Sequence, residues 1–155
     1  MSEAQQPTFG IEKIYVKDLS LEVPGGPQTF MQAEQPQLEV QITQHSQRVN
    51  ELLFEVTLVI TVSAKRGDKT LFLVEASQAG VFQIRNVPDA DLAPVLGIVC
   101  PNVLFPYARE TVSDIVNRAG FPQVLLAPVN FEALYQQRAA EASAQPSGPR
   151  IEIAH

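Results

Sequence analysis

Residues 54–62 alternate without a fault. Phe54, Val56, Leu58, Ile60 and Val62 share one phase, and Glu55, Thr57, Val59 and Thr61 occupy the other. A period of two cannot present one apolar stripe on a helix, so this run must be a strand with one face on a core. Lys65-Arg-Gly-Asp-Lys69 follows as a hairpin loop in which Gly67 is free to take a positive φ. The predicted return strand runs from Thr70 through Phe82 to Ile84, with Leu71 and Leu73 in one phase and Phe72 and Val74 in the other. Its first half is therefore expected to be covered on both sides.

Two further strands precede this hairpin. Leu38, Val40 and Ile42 alternate with Glu39, Gln41 and Thr43. From Ile11 to Val23 the alternation carries one fault: Ile14 and Val16 share a phase, whereas Leu19, Leu21 and Val23 take the opposite one. A period-two pattern changes phase only by inserting a residue, which predicts a β-bulge near Lys17–Asp18. Past the slip, Asp18, Ser20 and Glu22 point together to the face opposite the leucines. Pro24-Gly-Gly-Pro27 ends the strand, and a looser segment holds Phe30, Met31 and Pro36.

The strands, joined mostly by short turns, suggest an antiparallel meander, after which the chain changes character. Asp89–Leu96 suits a short helix or a crossover. Ala108, Val112, Ile115, Val116 and Ala119 recur as one stripe of a helix expected over 107–119, with an Asp114–Arg118 pair and Gly120 at its end. Phe121–Pro128 reads as an extended connector, and Asn130 as the N-cap of a helix from Phe131 to about Ala142. A four-stranded antiparallel sheet followed by helices is an α+β domain. Its expected limits are a flexible N-terminus at 1–8, the domain at 9–142 and a disordered tail at 143–155.

Composition narrows the chemistry. Apolar residues make up 45% of the 155 and charged ones only 18%, a surplus that oligomers commonly bury. The net charge of −6 repels a phosphate backbone, so nucleic acid is an unsuitable partner. One cysteine, Cys100, permits no internal disulfide and fits a reducing, cytosolic setting. No window is read as long enough to span a bilayer, and no direct membrane insertion is expected. With His45 and His155 as the only histidines, and His45 read as part of a polar loop, neither a metal site nor a cofactor site is predicted, nor any catalytic residue. Arg66-Gly-Asp68 is explained by the turn that it occupies.

Cys100-Pro-Asn-Val-Leu-Phe-Pro-Tyr-Ala-Arg-Glu110 closely resembles the signature of SecB, a family of cytosolic export chaperones in Gram-negative bacteria. The likeness continues in Phe121-Pro-Gln123, in Leu126-Ala-Pro-Val-Asn-Phe-Glu-Ala-Leu134 and, upstream, in Ile14-Tyr-Val-Lys-Asp-Leu-Ser20. The resemblance implies a homotetramer, a dimer of dimers, that binds unfolded preproteins without ATP and delivers them to the SecA motor. It places SecA docking, through a basic zinc-bearing tail, on Asp18, Glu22, Leu73 and Glu75, and contacts that support the tetramer on Val74, Ala76 and Gln78. A groove for extended polypeptide would draw on Phe30, Met31, Leu38, Val40, Ile42, Leu104 and Phe105, the last two lying between Pro101 and Pro106. The family often carries a tryptophan before its second strand, where this chain reads Phe30-Met-Gln-Ala-Glu-Gln-Pro36. Two other readings compete: a SecB-like chaperone of a toxin–antitoxin system, and a small α+β enzyme with an apolar pocket.

Overall fold

The computed structural model describes residues 6–32 and 35–144. Four strands form one antiparallel sheet: β1 Thr8–Glu22, β2 Gln37–Arg48, β3 Leu53–Arg66 and β4 Lys69–Arg85. Their order is β1-β4-β3-β2, so only β2, β3 and β4 form a meander. β1 lies beside β4 instead of β2, which makes a Greek-key order. The connection between β1 and β2, with a short 3-10 helix at Gly26–Met31, passes from one edge of the sheet to the other.

The expected bulge is present. β1 slips its register against β4 between Val16 and Asp18, with a second slip between Ile11 and Lys13. Lys17 is thus the extra residue that turns Asp18, Ser20 and Glu22 to one face, paired with Ser77, Glu75 and Leu73. At the β3–β4 hairpin the turn tightens to Gly67–Asp68, with Gly67 at φ +62°. β2 runs on to Arg48, so His45 stands in an exposed strand and not in a loop. Asn50 Oδ1 closes the β2–β3 turn by accepting from the Leu52 and Leu53 amides, each at 2.9 Å.

The helical half departs furthest from the sequence reading. α1 (Asp89–Pro94), a π-turn (Val95–Val99) and α2 (Cys100–Arg118) run on as one helical segment, so the proline-flanked stretch lies inside the helix and not ahead of it. Pro101 occupies the first turn of α2, where a missing N–H is tolerated. It cannot close an α-turn onto the Gly97 carbonyl, and Gln44 Nε2 donates to that carbonyl at 3.0 Å. Pro106 stands within α2 on its exposed side, where the Asn102 carbonyl, which receives no bond from the proline nitrogen, can turn to water. By length and composition the helical segment 89–118, which holds an 18-residue window of mean hydropathy 1.3, could cross a bilayer, contrary to the sequence expectation. Here the segment lies along the sheet instead.

α2 packs on β3 and β4, and there the core forms. Phe54, Val56, Leu58, Ile60 and Val62 from β3 meet Val74, Ala76 and Phe82 from β4, beneath Cys100, Leu104, Ala108, Val112 and Val116. α3 (Phe131–Ala144) begins at Asn130, whose Oδ1 accepts from the Ala133 amide at 3.0 Å, and its Tyr135 ring approaches Gly97. Of the segments expected to be loose, 1–5 and 145–155 lie outside the described residues. Thr8 already belongs to β1, and α3 continues through Ala144.

Gly80 sets how closely α2 can approach. A Cβ built there would stand 2.8 Å from the Phe82 ring and 3.0 Å from Leu104 Cδ2, so a side chain at this point would displace the helix or the ring. Gly80→Ala is expected to cost about 1–3 kcal/mol by overpacking, more than the ~0.4–1 kcal/mol returned through the unfolded chain. Urea unfolding of Gly80→Ala checks this against Gly10→Ala, whose added Cβ would meet nothing nearer than 4.0 Å and should be neutral or slightly stabilising.

Candidate functional site

The two faces of the sheet differ in what they leave uncovered. On the helix side, α2 lies over the two central strands, and the apolar rows of the edge strands extend beyond it. Leu38, Val40 and Ile42 of β2 pair with Ala64, Val62 and Ile60 and so continue the core rows outward. Ile42 is partly buried, but Leu38 and Val40 keep 47% and 45% of their surface. Phe30 stacks on Phe121, which packs on Phe72, while Met31 remains 80% exposed. Five of the expected groove residues therefore lie at the rim of the core, most of them open to solvent.

Leu104 and Phe105 do not join them. Their relative exposures are 0% and 6%: Leu104 presses on Gly80, and Phe105 meets the Phe131 ring edge-on. They are core residues because α2 begins at Cys100 and turns Leu104 onto the sheet and Phe105 onto Phe131. Exposed apolar residues that the sequence reading did not single out lie on the helix-side face of β1, namely Phe9, Ile11, Val16 and Leu19, and in the connector at Leu125. Leu125 carried no signal in the sequence, since Val124 and Leu126 on either side are equally apolar and only the structure shows that those two are buried.

On the outer face, the four residues assigned to docking share one surface. Glu22 pairs with Leu73, Ser20 with Glu75 and Asp18 with Ser77; the three acids are exposed and Leu73 is half-buried. The row Glu22–Leu73–Ser63 ends on β2 at Glu39, an acid that the sequence reading left unassigned. Val74, Ala76 and Gln78 face the other way and are buried beneath α2 within the single chain, so they offer no surface to a second copy. Gln78 is held at both ends: its Nε2 donates to the Tyr15 carbonyl at 3.2 Å, and its Oε1 lies 3.0 Å from the Thr111 hydroxyl on α2.

One charged cluster stands out on the outer face. Lys17 Nζ donates to Glu55 Oε1 at 2.6 Å, and the Tyr15 hydroxyl donates to Glu55 Oε2. Both side chains reach from β1 across β4 to β3. The bonds from Lys17 and then Tyr15 hold the Glu55 carboxyl below its usual range. The bond to Glu55, helped by burial, pushes the Tyr15 phenol from 10.0 up to about 12. In the core, burial raises the Cys100 thiol to about 12, which leaves it a poor nucleophile. Among the described residues, no group of three or more histidine, cysteine, aspartate or glutamate side chains is placed to hold a metal.

The family model for the preprotein translocase subunit SecB matches residues 2–142. The chain belongs to the SecB family. The protein-export protein SecB of Chromobacterium violaceum is 63% identical over 147 residues, covering 93% of this chain and 98% of that protein. SecB of an Azoarcus species is 62% identical over 141 residues, covering 90% and 93%. Among solved structures, a SecB-like chaperone of Mycobacterium tuberculosis, in complex with a peptide from an antitoxin, aligns with a TM-score of 0.65. At 15% identity, over 78% of this chain and 90% of that one, the likeness shows the shared fold. The four-stranded antiparallel sheet followed by helices thus matches the fold of a SecB-like chaperone.

The Tyr15–Glu55–Lys17 contact has a pH signature. An acid with a depressed pKa stabilises the fold above its unfolded value and loses that contribution as pH falls through the folded one, so Glu55 weakens the fold only in acid. A raised phenol works in the opposite sense: its contribution is complete below pH 10.0 and is lost as pH rises toward about 12. Ultraviolet difference titration should resolve one of the three tyrosines ionising late. In Glu55→Gln that tyrosine should move back toward 10.0; a wild-type protein with no late tyrosine would count against the contact.

Proposed function

We propose that this SecB-family protein-export chaperone binds extended stretches of unfolded preproteins without nucleotide. It keeps them competent for translocation and hands them to the SecA motor in the cytosol. The observation that carries this reading is the apolar helix-side flank formed by Leu38, Val40 and Phe30, beside β2, an edge strand of the sheet. An extended chain can add main-chain hydrogen bonds along such an edge whatever its sequence, while its alternate side chains meet apolar surface. A folded protein conceals both features, and occupancy of the unfolded state opposes folding by mass action.

The assembled form is a homotetramer, a dimer of dimers. The exposed apolar face of β1, at the opposite edge, supports burial against a second copy. Val74, Ala76 and Gln78 influence assembly from within by setting where α2 rests on the sheet. Several weak subsites on one tetramer add avidity for a long client. SecA docks on the outer face, its basic zinc-bearing tail attracted by Asp18, Glu22 and Glu75, with Leu73 as the apolar anchor. An enzymatic reading finds less support: the buried polar side chains among the described residues are Thr29, Thr57, Gln78 and Ser113, none of them an acid or base suited to general catalysis.

Native mass spectrometry of the protein with an unfolded preprotein should show client on a four-copy assembly, equally with ATP, without it and with a chelator. A requirement for ATP would overturn the nucleotide-free reading. Glu75→Lys should weaken calorimetric binding of the isolated SecA tail by roughly tenfold or more at low salt while leaving client binding unchanged, because rim charges act through a field screened over ~8–10 Å. Wild-type affinity for the tail in that variant would remove the case for docking on this face.

A further inference from the structure

The bulge that turns Asp18 outward also places a cation beside it. Lys17 and Asp18 line the same shallow concavity of about 390 Å³, with Glu55 and His45 on its far side. A lysine at that point, free to swing, would set its charge among the acids and repel a basic segment. It is not free: its ammonium is held at 2.6 Å by Glu55 on β3. Glu55 pairs with Val81, whereas Glu22 pairs with Leu73, so the bond draws the cation along the sheet away from the Leu73–Glu75 end. Tyr15 fixes the second carboxylate oxygen and thereby aims Glu55, and Gln47 Nε2 adds a contact at 3.4 Å.

We infer that Glu55 is a positioning residue for the acidic docking face: it sequesters the Lys17 ammonium so that the field of Asp18, Glu22 and Glu75 remains uncompensated. The inference rests on the docking reading above. Glu55 need not touch the partner; it acts on the lysine that lies next to Asp18 at the bulge. Its surroundings suit the task. Glu55 is mostly covered, its carboxylate stays ionised, and both of its oxygens are bonded. The device depends on the bulge, since with Lys17 paired in the ladder instead of bulged the neighbouring acids would fall on the helix side.

The test is calorimetric binding of the isolated SecA tail to the full-length protein at low and moderate salt. Glu55→Gln should weaken binding by roughly three- to tenfold at low salt, the effect of one added charge at short range near a surface. That loss should shrink as salt is raised. Lys17→Met should bind as well as wild type or slightly better, and the double variant should return to wild-type affinity. Glu51→Gln removes the same net charge from the exposed β2–β3 turn and should have a smaller effect. Wild-type affinity in Glu55→Gln, while Glu75→Lys loses binding, would overturn the inference and leave the docking reading intact. A double variant as weak as Glu55→Gln, or a loss that does not respond to salt, would indicate damage to the sheet and overturn it as well. If Glu75→Lys binds like wild type, the docking reading fails and this inference fails with it.

Discussion

The close seat of α2 on β4 governs the rest of the molecule. Gly80 has no side chain to hold Leu104 away, so the helix settles over the two central strands and buries a continuous row from Phe54 to Ala64 on β3. A single helix, about 10–12 Å across with its side chains, cannot also cover strands spaced about 4.8 Å apart on either side. The edge strands β1 and β2 therefore keep apolar rows in the open. What would be a packing failure in a monomeric enzyme is, in the function proposed above, the surface that meets other chains.

The two faces of the sheet thus differ in chemistry. The helix side presents apolar rows beside edge strands, which suits a partner that is extended and exposes its backbone. The outer side presents acids around one half-buried leucine, which suits a basic partner with an apolar anchor. Separation of the two depends on the phase of each strand, because a one-residue slip would send every side chain to the opposite face. In β1 that phase is set by the bulge at Lys17, and the lysine so inserted is held by Glu55 and kept from the acids that it helped to orient. Gln78 links the two sides, since its amide binds the β1 backbone next to this cluster and meets Thr111 on the helix.

Much of this was legible in the chain because strand patterning is local. The alternation at 54–62, the slip before Asp18, the turn at Gly67, the Asn130 cap and the Gly120 helix end each depend on neighbouring residues, and each appears where it was expected. The helix start was misjudged because proline is read as a boundary, whereas at Pro101 Gln44 supplies the donor that the ring lacks and Pro106 lies on the solvent side. That error moved Leu104 and Phe105 from core to groove. The Greek-key order was illegible for another reason: strands with similar alternating patterns are interchangeable partners until a third element selects among them.

The sequence by itself determined the family, the strands and helices and which side chains share a face, because these follow from a motif and from periods of two and 3.6. Only the tertiary structure decided which apolar residues are core and which stay exposed. Leu38 and Val62 are equally apolar and stand on the same face, yet one is half-exposed and the other has no exposure. The difference lies in where α2 rests, and that depends on Gly80 and Leu104, which are distant in the chain from both. The destination of the Lys17 charge was likewise invisible in the chain, since its partner lies 38 residues away and comes within reach only when β1 and β3 flank β4.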